Sequence, residues 1–335
     1  MELASRAWLN RASGLVPQKR GRYWANRLQF HGGQLVELVS DAHGERGAVA
    51  RRYVFKVLPL VTPVVAAVGD SATYYVSTRD QGIGRVVFSK GSYEQDLMAT
   101  ALELLGEAIG RSPLLAGRTF VDVGANIGTS TIPALRAFGA KDAVAFEPAP
   151  MNFGLLRCNL AANDLCGRVR AFQVALSDHS GTATLEVAPG DWGDHRLRTV
   201  PGLDDHAFYR ESNRPTMTVT TASFDDVAAQ NDIDVDRLGV FWVDAQGHEG
   251  HILAGAASVT DSHTPVIIEY WPYGLRRAEG LDLFHQLVAD RCRRVIDVRA
   301  SAWERRVVDV QPAELDRLEA RYNGPVGYTD LILLT

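Results

Sequence analysis

The residues best placed to do chemistry are Asp122, Gly124 and Gly128, in Phe120-Val121-Asp122-Val123-Gly124-Ala125-Asn126-Ile127-Gly128, and Glu147, in Ala145-Phe146-Glu147-Pro148. The first segment reads as a buried strand ending in a glycine-bracketed turn that feeds a helix. Gly124 permits a tight turn, and Gly128 lets a helix begin close to a ligand. Glu147 falls about 20 residues further on, at the tip of the next strand, where an acid suits a ribose diol. Together they outline a site for a nucleoside-bearing cofactor. A dinucleotide fingerprint, G-x-G-x-x-G, would seat a pyrophosphate on the helix N-terminus. Here the middle glycine is missing, and Asp122 would repel a pyrophosphate while tolerating an ammonium group. The residues therefore favour S-adenosylmethionine over NAD. On this reading Asp122 faces the amino group, and the turn with Gly124, Asn126 and Gly128 holds the methionine portion. Glu147 accepts from both ribose hydroxyls.

Composition sets the frame for those residues. Hydrophobic residues make up 46% of the 335 and charged residues 22%, ordinary values for a globular chain. A formal net charge of -5 argues against a nucleic-acid partner. Cys158, Cys166 and Cys292 are few and lack metal spacing, which points to a reducing, cytoplasmic setting. No apolar run approaches the ~18 residues that span a bilayer, and the first residues lack the apolar core of a secretory signal.

Residues 1–110 read as an N-terminal α+β region without a cofactor motif, suited to covering a substrate or to homo-oligomer contacts. Within it, Arg52 to Leu60 and Thr73 to Thr78 are expected as strands, and Val54 to Val68 as buried strand material. Ser92 is positioned to cap a helix carrying Met98, Leu102, Leu105 and Ile109 on one face. From residue 111 strands and helices alternate. Strands are expected at Thr119–Val123, Ala143–Phe146, Val169–Leu176, Leu238–Val243 and Pro265–Ile268, with a closing pair at Arg294–Val298 and Asp330–Leu334. Such alternation implies an α/β fold, a mostly parallel sheet with helices on both faces. Ligands bind at the carboxyl ends of such strands, and the acids found there are Asp122, Glu147, Asp178, Asp244 and Glu269.

The order of Asp122-x-Gly124-x-x-x-Gly128, Phe146-Glu147-Pro148, Ala175-Leu176-Ser177-Asp178 and Val243-Asp244-Ala245-Gln246-Gly247-His248-Glu249 resembles the FkbM-type methyltransferases. Gly91-Ser92-Tyr93-Glu94 and the tail Asp330-Leu331-Ile332-Leu333-Leu334 extend the likeness over roughly residues 85–335. The resemblance implies a seven-stranded, Rossmann-like class I methyltransferase fold in residues 111–335. It also implies methylation of a hydroxyl on a sugar or a polyketide-type natural product, with a small molecule as partner. One departure is evident. The family's Lys-x-Asp-x-Glu-Gly-x-Glu has no lysine here, where Trp242 precedes Val243-Asp244, and Gln246 stands in place of the first glutamate.

A hydroxyl acceptor must be aligned with the methyl group and relieved of its proton. Candidates for the base follow the fourth core strand: Asp244, His248 and Glu249, with His251 nearby. His248 is preferred because its unperturbed pKa of ~6.5 suits proton removal at neutral pH. Asp244 also borders the cofactor. Ser177 and Asp178 are assigned to the adenine edge, although Ser177-Asp178-His179-Ser180-Gly181 reads equally well as a polar turn. A zinc-protease helix needs H-E-x-x-H, and His248 and His251 are one residue too close. Asp244, His248 and Glu269 raise Mg2+ as a cofactor, but histidine suits that oxygen-seeking ion poorly, so no metal is expected. Acceptor contacts are assigned to Trp192 and His195, in the aperiodic stretch Val187–Thr216, and to Glu269 and Trp271. The arginines of that stretch are of a type that meets a phosphate or carboxylate. A surface insertion accounts for the stretch as well. Three alternatives remain: a nicotinamide-dependent oxidoreductase, methylation at nitrogen, and a non-catalytic cofactor-binding module.

Overall fold

The computed structural model describes residues 45–69, 71–198, 209 and 211–335. The chain divides into two units, Met1–Thr62 and Pro63–Thr335. In the first, a helix runs over Glu45–Val57 and a 3-10 turn over Leu58–Leu60. The strand expected over Arg52–Leu60 is therefore a helix. Val, Tyr and Phe suggested extension, but the alanines and arginines beside them are better helix formers, and Pro59 closes the helix.

The second unit begins with two antiparallel strands, β1 (Val64–Val68) and β2 (Thr73–Ser77). Only Ala67 of β1 is buried, so this is an open edge rather than the core strand expected. Helices Ile83–Lys90 and Gln95–Ile109 follow. The second starts at Gln95, after Glu94 in a left-handed turn, and receives no side-chain cap, so Ser92 does not cap it. Its buried face carries Met98, Ala101, Leu102 and Leu105, close to the stripe expected.

The α/β core then unfolds strand by strand: β3 (Thr119–Val123), β4 (Asp142–Phe146), β5 (Val169–Phe172), β6 (Ala175–Leu176), β7 (Gly181–Glu186), β8 (Arg196–Arg198), β9 (Thr216–Ala222), β10 (Leu238–Val243), β11 (Val266–Tyr270), β12 (Arg294–Asp297), β13 (Asp309–Val310) and β14 (Thr329–Leu334). The large sheet has the order β13-β12-β14-β11-β10-β3-β4-β5. Strands β5, β4, β3, β10 and β11 are parallel, and β14 enters antiparallel between β11 and β12. The expected seven strands are present, and the two-residue β13 adds an edge. This is the Rossmann-like methyltransferase order. Strands β10 and β14 are buried at every position, as suits strands covered on both faces. The order in which strands are added to the sheet reverses between β3 and β10, which opens a crevice at their carboxyl ends.

The strand expected over Val169–Leu176 is broken in two. β5 runs out of partner where β4 ends, at Phe146 opposite Phe172, and Ala175–Leu176 pairs instead with β9. That hand-over starts a second sheet, β6-β9-β7-β8, built from the insertion before β10. The stretch Val187–Thr216 is thus not wholly irregular, since β8 pairs with β7. His206 and Arg210 lie outside the described residues. Asn163 ties the first strand pair to this core. Its Oδ1 accepts from Thr73 N at 3.0 Å and its Nδ2 donates to Thr73 O at 2.7 Å, imitating a neighbouring strand.

Candidate active site

The turn after β3 packs tightly against the exit of β10. A Cβ on Gly124, at φ 88°, would lie 1.8 Å from Asp244 O. Glycine is required there by backbone crowding as well as by conformation. Asn126 takes a left-handed conformation, φ 50°, which aims its N–H at Glu147 Oε2, 2.9 Å away. Glu147 Oε1 accepts from Ala149 N at 2.8 Å. One carboxylate therefore fastens the two loops that follow β3 and β4, and each oxygen keeps a lone pair for a ligand. Burial pushes Glu147 up to about 7.

Around this carboxylate lies a first cavity, lined by Gly124, Asn126, Glu147, Asn152, Trp192 and His248 among others. Asn126 and Asn152 both donate Nδ2 to Trp192 O, at 2.9 and 3.0 Å. Their Oδ1 atoms are buried without partners, as is Nδ1 of His248. The open groups of this cavity are thus acceptors. They fit a donor-rich ligand, such as a nucleoside with a ribose diol and an exocyclic amine, and so fit S-adenosylmethionine. With Trp192 across its mouth the enclosed space is about 60 Å³, below the roughly 300–1,000 Å³ of ligand pockets.

A second cavity, of about 260 Å³, adjoins the first and shares Gly193 with it. Six carboxylates line it, Glu94, Asp191, Asp194, Asp244, Glu269 and Asp330, together with the guanidinium of Arg196. Tyr93, Trp271 and Tyr328 supply aromatic wall. Gln246 Nε2 donates to Asp244 Oδ1 at 2.7 Å and to Glu269 Oε2 at 3.2 Å, so one neutral amide bridges two acids. Asp330 is 7% exposed and its Oδ2 has no partner. Burial, reinforced by mutual repulsion, pushes Glu94 to about 7 and Asp330 to about 8, and raises Glu269 strongly. Burial likewise raises Asp244.

The sequence candidates separate between these places. Asp244, Glu269 and Trp271 meet at the second cavity. Trp192 and His195, expected at the acceptor, line the first. His248 also lines the first, with its Nε2 2.9 Å from Ser177 Oγ, and burial holds it near 3. Glu249 is fully buried, and its Oε1 accepts from Ala245 N and Gly247 N at 2.9 and 3.2 Å, closing the loop after β10. Asp122 sits beneath the turn, 1% exposed, accepting from Thr131 Oγ1, and lines neither cavity. Gly128 likewise lines neither, and a Cβ there would press on Leu156 and Ile132. Ser177 and Asp178 stand behind His248. Partial burial would raise Asp178, but bonds from His179, His251 and Ser177 hold it at about 2.

The described arginines of the insertion, Arg196, Arg198 and Arg214, have internal partners. Arg196 pairs with Asp194 and with Glu211, which is 1% exposed, and Arg198 pairs with Glu186 at 2.8 Å. Arg277 reaches both buried glutamates at 3.1 Å, joining the insertion to helix Pro272–Arg277. Arg196 also lies over Tyr209 and Trp271, at 4.3 and 4.4 Å from the ring centroids. Among the described residues, Asp244, His248 and Glu269 do not form a group whose ligand atoms lie within 4.8 Å of one another.

Four acids of the second cavity, Glu94, Asp191, Asp194 and Asp330, were not among the sequence candidates. Asp330 pairs across the sheet with Glu269, and because β14 is antiparallel its start lies beside the carboxyl ends of the parallel strands. Glu94 arrives from outside the α/β core. Its only sequence signal was the Tyr93-Glu94 pair ahead of a helix.

A model of the methyltransferase FkbM domain matches residues 122–288, from the end of β3 to the helix before β12. The chain is 30% identical to methyltransferase sdnD of Sordaria araneosa over 181 residues, 47% of this chain and 68% of that protein. It is 27% identical to the hexuronic acid methyltransferase AglP of Haloferax volcanii over 209 residues, 62% of this chain and 74% of that one. It is 25% identical to the 2-O-methyltransferase NoeI of Sinorhizobium fredii over 158 residues, 45% and 62% of the two chains. The matched span holds the strand ends that build the first cavity and the Asp244–Gln246–Glu269 bridge of the second, and with it the chain belongs to the FkbM family of S-adenosylmethionine-dependent methyltransferases.

Proposed function

We propose that the protein transfers the methyl group of S-adenosylmethionine to a hydroxyl of a small polyhydroxylated acceptor, a sugar or a glycosylated natural product. The observation that carries this reading is the pairing of an acceptor-lined nucleoside cavity with an acid-walled, aromatic one beside it. When bound, the cofactor supplies an electrophilic sulfonium methyl. Glu147 holds the ribose, Asn126 and Asn152 offer their free oxygens, and the Trp192 segment withdraws to admit the ligand and then covers it. Asp244 is the base, because of the sequence candidates it alone combines the tip of β10, contact with the turn at Gly124, and exposure to the second cavity. Burial raises its pKa above the ordinary carboxylate value, the direction that favours a general base. Gln246 positions Asp244 and Glu269, while Glu269 and Asp330 accept from neighbouring hydroxyls of the acceptor.

The relatives named for hexuronic acid and 2-O-methylation support a sugar as the acceptor. The six carboxylates of the second cavity outnumber its one guanidinium, that of Arg196, which disfavours an anionic sugar here, so a neutral one is preferred. The same carboxylates favour an amine as the second reading. The Tyr93-Glu94 segment covers the second cavity, which gives part of the N-terminal region its role. No metal takes part in the reading. The free thiols of Cys158, Cys166 and Cys292 suit a cytoplasmic enzyme, and no described helix is long and apolar enough to cross a membrane. The test is turnover on neutral, amino and uronic glycosides with labelled methyl donor, with the methylated atom located by NMR. Asp244→Asn is expected to lower kcat by about 10²–10⁴-fold with S-adenosylhomocysteine binding held within threefold. An Asp244→Asn enzyme with undiminished kcat would remove the base from the scheme.

A further inference from the structure

His248 has no task in the methyl-transfer scheme, yet its surroundings are specific. The side chain is buried, and its ring stacks on His251 with centroids 4.6 Å apart. Nε2 lies 2.9 Å from Ser177 Oγ, whereas Nδ1 is buried without a partner. An orphaned buried ring nitrogen is costly, and in a cavity wall it asks for a ligand atom.

The hydrogen bonds behind the ring fix which atom that is. Ser177 has one hydroxyl proton, and Oγ donates it to Asp178 Oδ1 at 3.1 Å. Asp178 stays ionised, since His179 Nδ1 and His251 Nδ1 approach its two oxygens at 2.5 and 3.3 Å. Ser177 Oγ can then only accept from His248, so the ring proton sits on Nε2. Burial beside the second histidine opposes a second ring proton. Nδ1 is consequently a bare acceptor. The wall of the same cavity also carries Phe146, Val174, Leu176 and Ile252, an apolar lining that suits a purine ring.

We propose that His248 Nδ1 accepts a hydrogen bond from the exocyclic amine of the cofactor's adenine, making His248 a base-specificity residue positioned by Ser177 and Asp178. The amine is the one donor on the Watson–Crick edge of adenine, because its ring nitrogens there are acceptors. This inference rests on the reading of the first cavity as the nucleoside site.

Calorimetry on the full chain tests it with S-adenosylhomocysteine and its 6-deamino purine analogue. The wild type is expected to bind the adenine compound at least tenfold more tightly. His248→Phe should reduce that preference to twofold or less and bind the deamino analogue no worse than the wild type does. Ser177→Ala touches no ligand but frees Nε2, and should cut the preference at least threefold. Nitrogen-15 spectra of the wild type, independent of any variant, should place the His248 proton on Nε2. Equal binding of the two compounds by the wild type, an intact preference in His248→Phe, or a proton on Nδ1 overturns the proposal. If the wild type binds neither compound, the cofactor reading of this cavity fails as well.

Discussion

Replacing Glu147 by glutamine is the sharpest test of the cofactor site, because the side chain keeps its shape and loses one acceptor. In the wild type Oε2 accepts from Asn126 N at 2.9 Å and Oε1 from Ala149 N at 2.8 Å. Whichever way the glutamine amide turns, its NH2 faces one of those backbone N–H groups. A buried donor left without an acceptor costs about 1–3 kcal/mol, so the ligand-free protein should lose roughly that much stability. The ligand suffers separately, since one of two charge-assisted contacts to the ribose diol disappears. Such a contact contributes about 1.5–3 kcal/mol, which corresponds to a loss of affinity of roughly ten- to a hundredfold. Calorimetry with S-adenosylhomocysteine reads the second effect and denaturant unfolding without ligand reads the first. A 2′,3′-dideoxy analogue separates them further, because it should bind wild type and Glu147→Gln nearly alike. If the variant binds S-adenosylhomocysteine within twofold of wild type while showing the stability loss, Glu147 is a loop fastener only and the ribose lies elsewhere.

Removing Arg196 takes one of two guanidinium partners from the buried Glu211, which keeps Arg277 and Tyr273, and leaves Asp194 to Arg214, so Arg196→Met should cost about 1–3 kcal/mol, read by denaturant unfolding; no measurable change would show the contact to be dispensable. Stability of the ligand-free protein should fall as pH rises from 6.5 to 8.5. Asp122 and Glu147 near 7 and Asp330 near 8 hold protons in the folded chain that unfolded carboxylates, titrating near 4, have already lost, and ionising them opposes folding. Buried His195 and His248, lowered to about 4 and 3, act in the opposite sense until unfolded histidine, titrating near 6.5, has lost its proton, so melting temperatures at about 7.5 and 8.5 read mainly the acids. A flat profile would contradict the burial of these groups, and Asp330→Asn should shallow the slope. Turnover should survive EDTA, and a loss restored by Mg2+ would reverse the metal-free scheme.

The sequence by itself determined the strands that matter most. Phe120–Val123, Ala143–Phe146 and Leu238–Val243 are short apolar runs bounded by glycine or acid, a pattern that needs no partner to be read. The glycine spacing and Glu147 specified the cofactor class for the same reason, since turn geometry and one carboxylate are local. What only the tertiary structure decided was the sorting of side chains between two cavities. Asp244, His248 and Glu249 fall within six consecutive positions after β10, yet they reach the second cavity, the first, and the backbone of the loop between them. Periodicity gives no direction in a loop with left-handed residues at Gln246 and Gly247. Glu94 and Asp330 stand 236 positions apart and meet because an antiparallel strand returns to the sheet beside a helix that precedes it. The insertion shows the same limit. Its arginines were plain in the sequence, but whether each faced solvent, substrate or a buried glutamate depended on a second sheet in which β8 pairs with β7, and β7 pairs with β9 across 30 to 40 residues.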